Sequence, residues 1–131
     1  VYLAELTESI LDSVKLGLGG ITEEYTAFDS QIMMYINTAF NRLYQLGVGP
    51  RDAPFRITDG SETWDEFLDD GRMEMVKADV ILRVKLMFDP PGSSYGIEAI
   101  KEQIQEYEWL MNVQSESEEA FHEAYSASES S

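Results

Sequence analysis

The chain contains no cysteine and only one histidine among its 131 residues. Without thiolates it cannot build a disulfide framework, a thiolate zinc site or an iron–sulfur centre. The single histidine, His122, lies in a stretch rich in serine and glutamate, so no base is held beside a nucleophile. We therefore predict that the protein is not an enzyme and that it has no cofactor and no metal site.

The chain also lacks a long apolar run and has few basic residues. Its most apolar stretch, residues 78–88, is interrupted by Arg83 and Lys85 and is about half as long as a membrane-spanning helix. Nine basic residues stand against 25 acidic ones, which gives a net charge of −16. The negative electrostatic field of such a chain repels the phosphate backbone of nucleic acids. We expect neither a membrane segment nor ordinary nucleic-acid binding.

Apolar residues recur at intervals of three and four along four stretches of the chain, which is the spacing of amphipathic helices. The pattern predicts long helices near residues 3–16, 29–46, 72–88 and 94–112, a short helix at 62–69 and a brief extended or β segment at 54–58. The third long helix is apolar almost all round, so we expect neighbours to cover it on most sides. Asp79 and Arg83 stand one turn apart on it, which predicts an ion pair.

These elements predict an all-α fold, a small bundle of about four long helices plus one short helix. We assign it to residues 1–113. Residues 114–131 hold five glutamates and no base and lack the apolar density to fold alone, which predicts a disordered, flexible acidic tail. Within it Phe121 and Tyr125 stand four residues apart, as in a helix that forms on binding, and they are our candidate partner-contact residues.

Two further patterns favour structure over ligand binding. The order Gly47-Val48-Gly49-Pro50 is typical of a helix that ends at a glycine and cannot resume at a proline. Four acids between residues 65 and 70 could be imagined as ligands for a hard cation. The alternating ligand loop of calcium sites is absent, so a solvated acidic face is the favoured interpretation. Trp64 and Trp109 are expected to be core or interface anchors.

Three punctuated segments follow one another along this helical pattern: residues 44–50, residues 63–68, and Phe88 to Pro91 followed by residues 105–109 and Asn112. In this order and spacing, over about residues 3–114, the chain resembles the head-to-tail connector (adaptor) proteins of long-tailed bacteriophages and prophages. The residues that carry the resemblance are interpreted as a structural motif: Gly47, Gly49, Pro50, Trp64, Phe88, Pro90, Pro91 and Trp109.

The resemblance implies a structural protein that assembles as a ring, commonly twelve-fold, beneath the portal of a DNA-filled capsid. Its implied partners are further copies of itself, the portal protein and a downstream head-completion or tail protein. Its implied location is the head-to-tail junction of the virion, after assembly in the cytoplasm of the host bacterium. DNA would pass through the ring without specific binding, along a wall to which some helix-face acids contribute. The segment with Phe121 and Tyr125 is expected to order against the portal or a neighbouring subunit.

The net charge leaves one alternative of a different class open. A small, strongly acidic domain could be a DNA mimic that inhibits a nucleic-acid-binding enzyme of the host. Mimicry needs carboxylates along one exposed face at phosphate-like intervals, whereas the acids here are spread over several predicted helices. The two hypotheses differ in an observable: a connector forms or joins rings, and a mimic stays small.

Overall fold

The computed structural model describes residues 8–68 and 71–130, and for residues 113–130 it describes the backbone. Five helices follow one another in this part of the chain: α1 (Ile10–Gly17), α2 (Asp29–Gln45), α3 (Trp64–Phe67), α4 (Met73–Phe88) and α5 (Ser94–Ser130). The described residues form no sheet, and their one isolated β-bridge joins Ser9 to Thr63. The predicted all-α class is confirmed.

The first helix begins later than the sequence pattern predicts. Ser9 has an extended backbone, and its Oγ accepts a hydrogen bond from the Asp12 N–H at 3.2 Å, so it caps the helix that starts at Ile10. The Ile10 N–H donates a hydrogen bond to the Glu62 carbonyl at 3.0 Å. Residues 8 and 9 are therefore not helical, and the predicted start near residue 3 is wrong for them. Residues 3–7 lie outside the described part of the chain.

The core lies around α4, on which α1, α2 and α5 pack, and α1 also packs on α2. The apolar residues whose spacing predicted α2 are buried, because they share one face of the helix. The fully buried core residues of the three long helices are Ile32, Ile36, Phe40, Leu43, Met73, Val76, Val80, Val84 and Met111. These helices form the frame on which the loops and the short helix are held.

Helix α4 is covered on fewer sides than we predicted. Its neighbours α1, α2 and α5 bury one stripe, but they leave part of its remaining apolar surface uncovered. Leu82 and Leu86 are half-buried, and Met87 retains 37% of its surface. An apolar edge therefore stays at the surface of the described domain.

The segment at 54–58 is not a strand, because no other described strand lies beside it. Its backbone is instead satisfied by one side chain of α2. The Asn37 Oδ1 accepts from the Ile57 N–H at 2.8 Å, and the Asn37 Nδ2 donates to the Ile57 carbonyl at 3.0 Å. The Asn37 amide thus replaces a partner strand for the buried Ile57. The short helix is also shorter than predicted, since the backbone is extended again at Leu68.

Helix α5 continues to Ser130, well beyond the end predicted near Asn112, and it has 37 residues. No glycine or proline occurs between residues 97 and 130, and glutamate, glutamine and alanine, which favour helices, are frequent there. The predicted end is therefore wrong, because low apolar content does not stop a helix. The division into a domain and a flexible tail at residues 113/114 stays a prediction.

Candidate functional site

The first segment of the predicted motif closes α2. The Gly47 N–H donates a hydrogen bond to the Tyr44 carbonyl at 3.1 Å, and the Val48 N–H donates one to the Leu43 carbonyl at 2.9 Å. This pair of bonds is a Schellman motif, which needs a residue with positive φ at the first position after the cap. Gly47 has φ +83°. Its role in the motif is to end the helix.

Gly49 serves a second purpose, because it brings the first two motif segments together. Its φ is +93°, and a Cβ built on it would lie 2.4 Å from Cε1 of Phe67 in α3. Phe67 packs on Phe40 with ring centroids 4.6 Å apart and on Phe55 at 5.4 Å. The ring of Trp64 lies 6.3 Å from that of Phe40. We call these four aromatic residues the aromatic corner.

Trp64 anchors the aromatic corner to α1. Its side chain is fully buried, and its Nε1–H donates a hydrogen bond to the Ser13 Oγ at 3.0 Å. The Ser13 hydroxyl in turn donates to the Ser9 carbonyl at 2.8 Å, and the Ser9 hydroxyl donates to the Gly60 carbonyl at 2.7 Å. A buried indole N–H needs such a partner. Trp64 is therefore a core anchor, as the sequence predicted.

The third motif segment lies at another corner. Phe88 packs edge-on against Phe28 with ring centroids 5.4 Å apart, and Pro90 and Pro91 separate the end of α4 from the start of α5. Trp109 is not brought to either corner: it retains 64% of its surface. The candidate contact residues Phe121 and Tyr125 belong to α5, where the structure describes their backbone and not their side chains.

A network of charged side chains joins the three long helices. Arg83 contacts Asp79 at 2.7 Å, which confirms the predicted ion pair. Arg83 also contacts Glu108 on α5 at 2.7 Å, and Glu108 contacts Arg42 on α2 at 3.1 Å. Sequence reasoning missed the last two residues. No short-range spacing connects Arg42 with Glu108, so no signal in the sequence would have identified that pair.

Burial and pairing act in opposite directions on the pKa values of this network. Burial raises the pKa of Asp79 above its usual 3.8, and the hydrogen bond from Arg83 offsets only part of that effect. Burial also raises the pKa of Glu108, but the hydrogen bonds from Arg42 and Arg83 outweigh it and the net pKa is lowered. Burial lowers the pKa of Arg83, and its two carboxylates outweigh this to raise it. Arg83 and Glu108 are therefore held in their charged forms.

Next to this network a cleft of about 410 Å³ opens between α2, α4 and α5. Its walls combine apolar side chains with cationic ones. We call it the basic cleft, and its lining residues are Thr38, Ala39, Arg42, Arg83, Leu86, Met87, Lys101, Ile104, Gln105 and Glu108. Arg42 and Lys101 retain 45% and 53% of their side-chain surface. The arrangement suits an acidic partner segment with apolar side chains.

Other surfaces of the described residues offer less chemistry. A groove of about 730 Å³ between α2 and residues 54–58 is lined mainly by amide, hydroxyl and methionine side chains. Among residues 8–68 and 71–112, no three histidine, aspartate or glutamate side chains are grouped so that they could hold a metal ion. No described helix is long and apolar enough to cross a membrane.

A family model described as phage connector protein matches residues 10–118. That range contains the aromatic corner, the contact between Phe28 and Phe88, the charged network and the basic cleft. It ends before Phe121. No curated protein and no solved structure matches the chain.

Proposed function

Since the chain belongs to the phage connector protein family, we propose that it is a structural subunit that forms a ring beneath the portal. The ring extends the DNA exit channel and provides the platform to which the tail attaches. The observation that carries this proposal is the family match over residues 10–118, which confirms the resemblance drawn from the motif. The role involves no catalysis and no cofactor.

The distribution of exposed apolar side chains supports assembly through more than one surface. Single exposed apolar residues are ordinary, but among residues 8–68 and 71–112 seven large ones lie on several segments. They retain between 37% and 85% of their surface: Leu16, Tyr25, Phe28, Met34, Met87, Tyr95 and Trp109. A closed ring is built from heterologous contacts, in which one side of a subunit binds a different side of the next. Apolar surface on different helices suits that requirement.

The charge of the chain supports passage of DNA without specific binding. Glu98, Glu102 and Glu106 are exposed on α5 and recur at helical spacing. We assign this acidic face of α5 to the channel wall, where phosphates gain no ion pairs and DNA slides. The partners in this proposal are further copies of the chain, commonly twelve, the portal protein and a downstream head-completion or tail protein. The location is the head-to-tail junction of the virion.

Assembly is tested first by the absolute mass of the purified chain, measured by light scattering across a wide concentration range, alone and with portal rings from the same virus. We expect closed rings alone or a defined addition of mass to the portal, and electron micrographs would show either. A chain that stays monomeric and adds no mass to portal rings would contradict the proposal. If that monomer also blocked a DNA-binding enzyme, the DNA-mimic alternative would replace it.

The acidic channel wall is tested by reversing charge at Glu98, Glu102 and Glu106 with lysine. We expect rings that still form but virions that eject DNA more slowly, because phosphates would now form ion pairs with the wall. Unchanged packaging and ejection would contradict the assignment. The matched control reverses three exposed acids on other segments of the chain, namely Glu24, Asp52 and Glu74.

A further inference from the structure

The basic cleft is an exception on a strongly acidic molecule. Arg42, Arg83 and Lys101 are three of only nine basic residues in a chain of net charge −16, and all three line this one cleft. Arg83 is held by its two carboxylates and Arg42 is paired with Glu108, but Arg42 and Lys101 keep about half of their side-chain surface exposed. Lys101 has only a loose contact with Glu98, at 3.8 Å. The cleft therefore keeps cationic groups that can bind an acidic partner.

The apolar part of the cleft is equally open. Met87 retains 37% of its surface, and Leu86 beside it is half-buried. Such side chains at the end of α4 would gain stability if an apolar partner covered them. A fitting partner therefore combines negative charge with apolar side chains, because both kinds of group line the same walls.

Residues 114–131 have this composition. They hold five glutamates, no lysine and no arginine, together with Phe121 and Tyr125. The aromatic residues of the segment cannot reach the cleft of their own chain while α5 is intact. Phe121 lies 13 residues beyond Glu108, the last residue that lines the cleft, and a helix rises about 1.5 Å per residue, so the two are roughly 20 Å apart along the axis. The fitting occupant is the same segment of another copy.

We propose that residues 114–131 of one copy dock in the basic cleft of a second copy. The segment and the cleft are different surfaces, so the contact is heterologous and repeats from subunit to subunit. This inference rests on the proposed function, because it adds a defined interface between neighbouring subunits of the proposed ring. Most of the segment lies beyond the residues that the family model matches, which end at 118.

The first test uses two full-length variants. Lys101→Glu with Met87→Glu alters the cleft at two exposed positions, and Phe121→Ser with Tyr125→Ser alters the segment. We expect each to weaken self-association about tenfold or more in dissociation constant, since charged and apolar contacts are lost together. Circular dichroism checks that the helices are retained. The matched control is Arg56→Glu, an exposed cation outside both the cleft and the segment, which we expect to change the constant less than twofold.

Mixing the two variants gives the sharper result. A cleft variant still carries an intact segment, and a segment variant still carries an intact cleft, so one contact between them remains. We expect the mixture to form one-to-one dimers by light scattering and to stop there, whereas the wild type grows further. A mixture that stays monomeric, or one that grows as the wild type does, would overturn the docking.

Salt and the portal separate this inference from the proposed function. Raising the ionic strength to roughly 0.5 M should weaken self-association, because charge contacts are screened; association that strengthens with salt would contradict the docking. A wild-type chain that stays monomeric at every concentration would also overturn it. If such a chain, or both variants, still added mass to portal rings, the connector function would stand without this interface.

Discussion

Gly49→Ala tests why the aromatic corner requires glycine. A methyl group there would lie 2.4 Å from Cε1 and 2.8 Å from Cζ of Phe67, well inside ordinary contact distance, and φ is +93°. The unfavourable backbone costs about 1–2 kcal/mol, and forcing extra volume against a packed ring costs about 1–3 kcal/mol. Together they lower the free energy of unfolding by about 2–5 kcal/mol, a large part of a typical domain's stability.

Three other glycines separate these two contributions. Gly47 has φ +83° but nothing within 4 Å of an added Cβ, so its alanine variant incurs only the backbone cost. Gly17 lies in α1 without positive φ, and its Cβ would come 2.9 Å from Ile81, so its variant incurs only the steric cost. Gly71 has neither problem, and Gly71→Ala should change stability by less than about 0.5 kcal/mol.

The assay is urea unfolding followed by circular dichroism and by tryptophan fluorescence, at a protein concentration low enough to keep every variant monomeric. We expect Gly49→Ala to be the least stable of the four, with Gly47→Ala and Gly17→Ala between it and Gly71→Ala. If Gly49→Ala were no less stable than Gly47→Ala, Phe67 would move aside at little cost. That result would refute the close approach of α3 as the reason for glycine at this position.

Three further changes probe the other contacts. Trp64→Phe removes the donor to Ser13 and should lower the free energy of unfolding by about 1–3 kcal/mol, measured in urea; Ser13→Ala should cost less, and equal stability of all three proteins would refute the anchor role. Asn37→Ala leaves both backbone groups of Ile57 without a partner, which should also cost about 1–3 kcal/mol and speed amide exchange at Ile57; unchanged exchange would contradict it. Because the pKa of Asp79 is raised above 3.8, the folded state binds its proton more tightly than the unfolded state does, so wild-type stability relative to Asp79→Asn should fall as pH rises from about 4. Urea unfolding between pH 4 and 7 measures this difference, and a difference that grows with pH would have the wrong sign.

Features of short range were predicted from the sequence. The buried stripe of α2, the glycine stop at Gly47 and the ion pair between Asp79 and Arg83 each depend on residues within a few positions of one another. Helical periodicity, caps and one-turn charge pairs are properties of the local backbone. The resemblance to the connector family was also drawn from residue types and their spacing, and the family model that matches residues 10–118 confirms it.

Features that join distant segments were decided by the tertiary structure. Arg42 meets Glu108 only because α2 and α5 both pack on α4, and Asn37 replaces a partner strand only because the loop at 54–58 returns to α2. The exposure of Trp109 likewise depends on which face of α5 the core uses. A local pattern states which faces of a helix are apolar, but the way three helices share those faces depends on their packing. The basic cleft therefore exists only in the assembled fold.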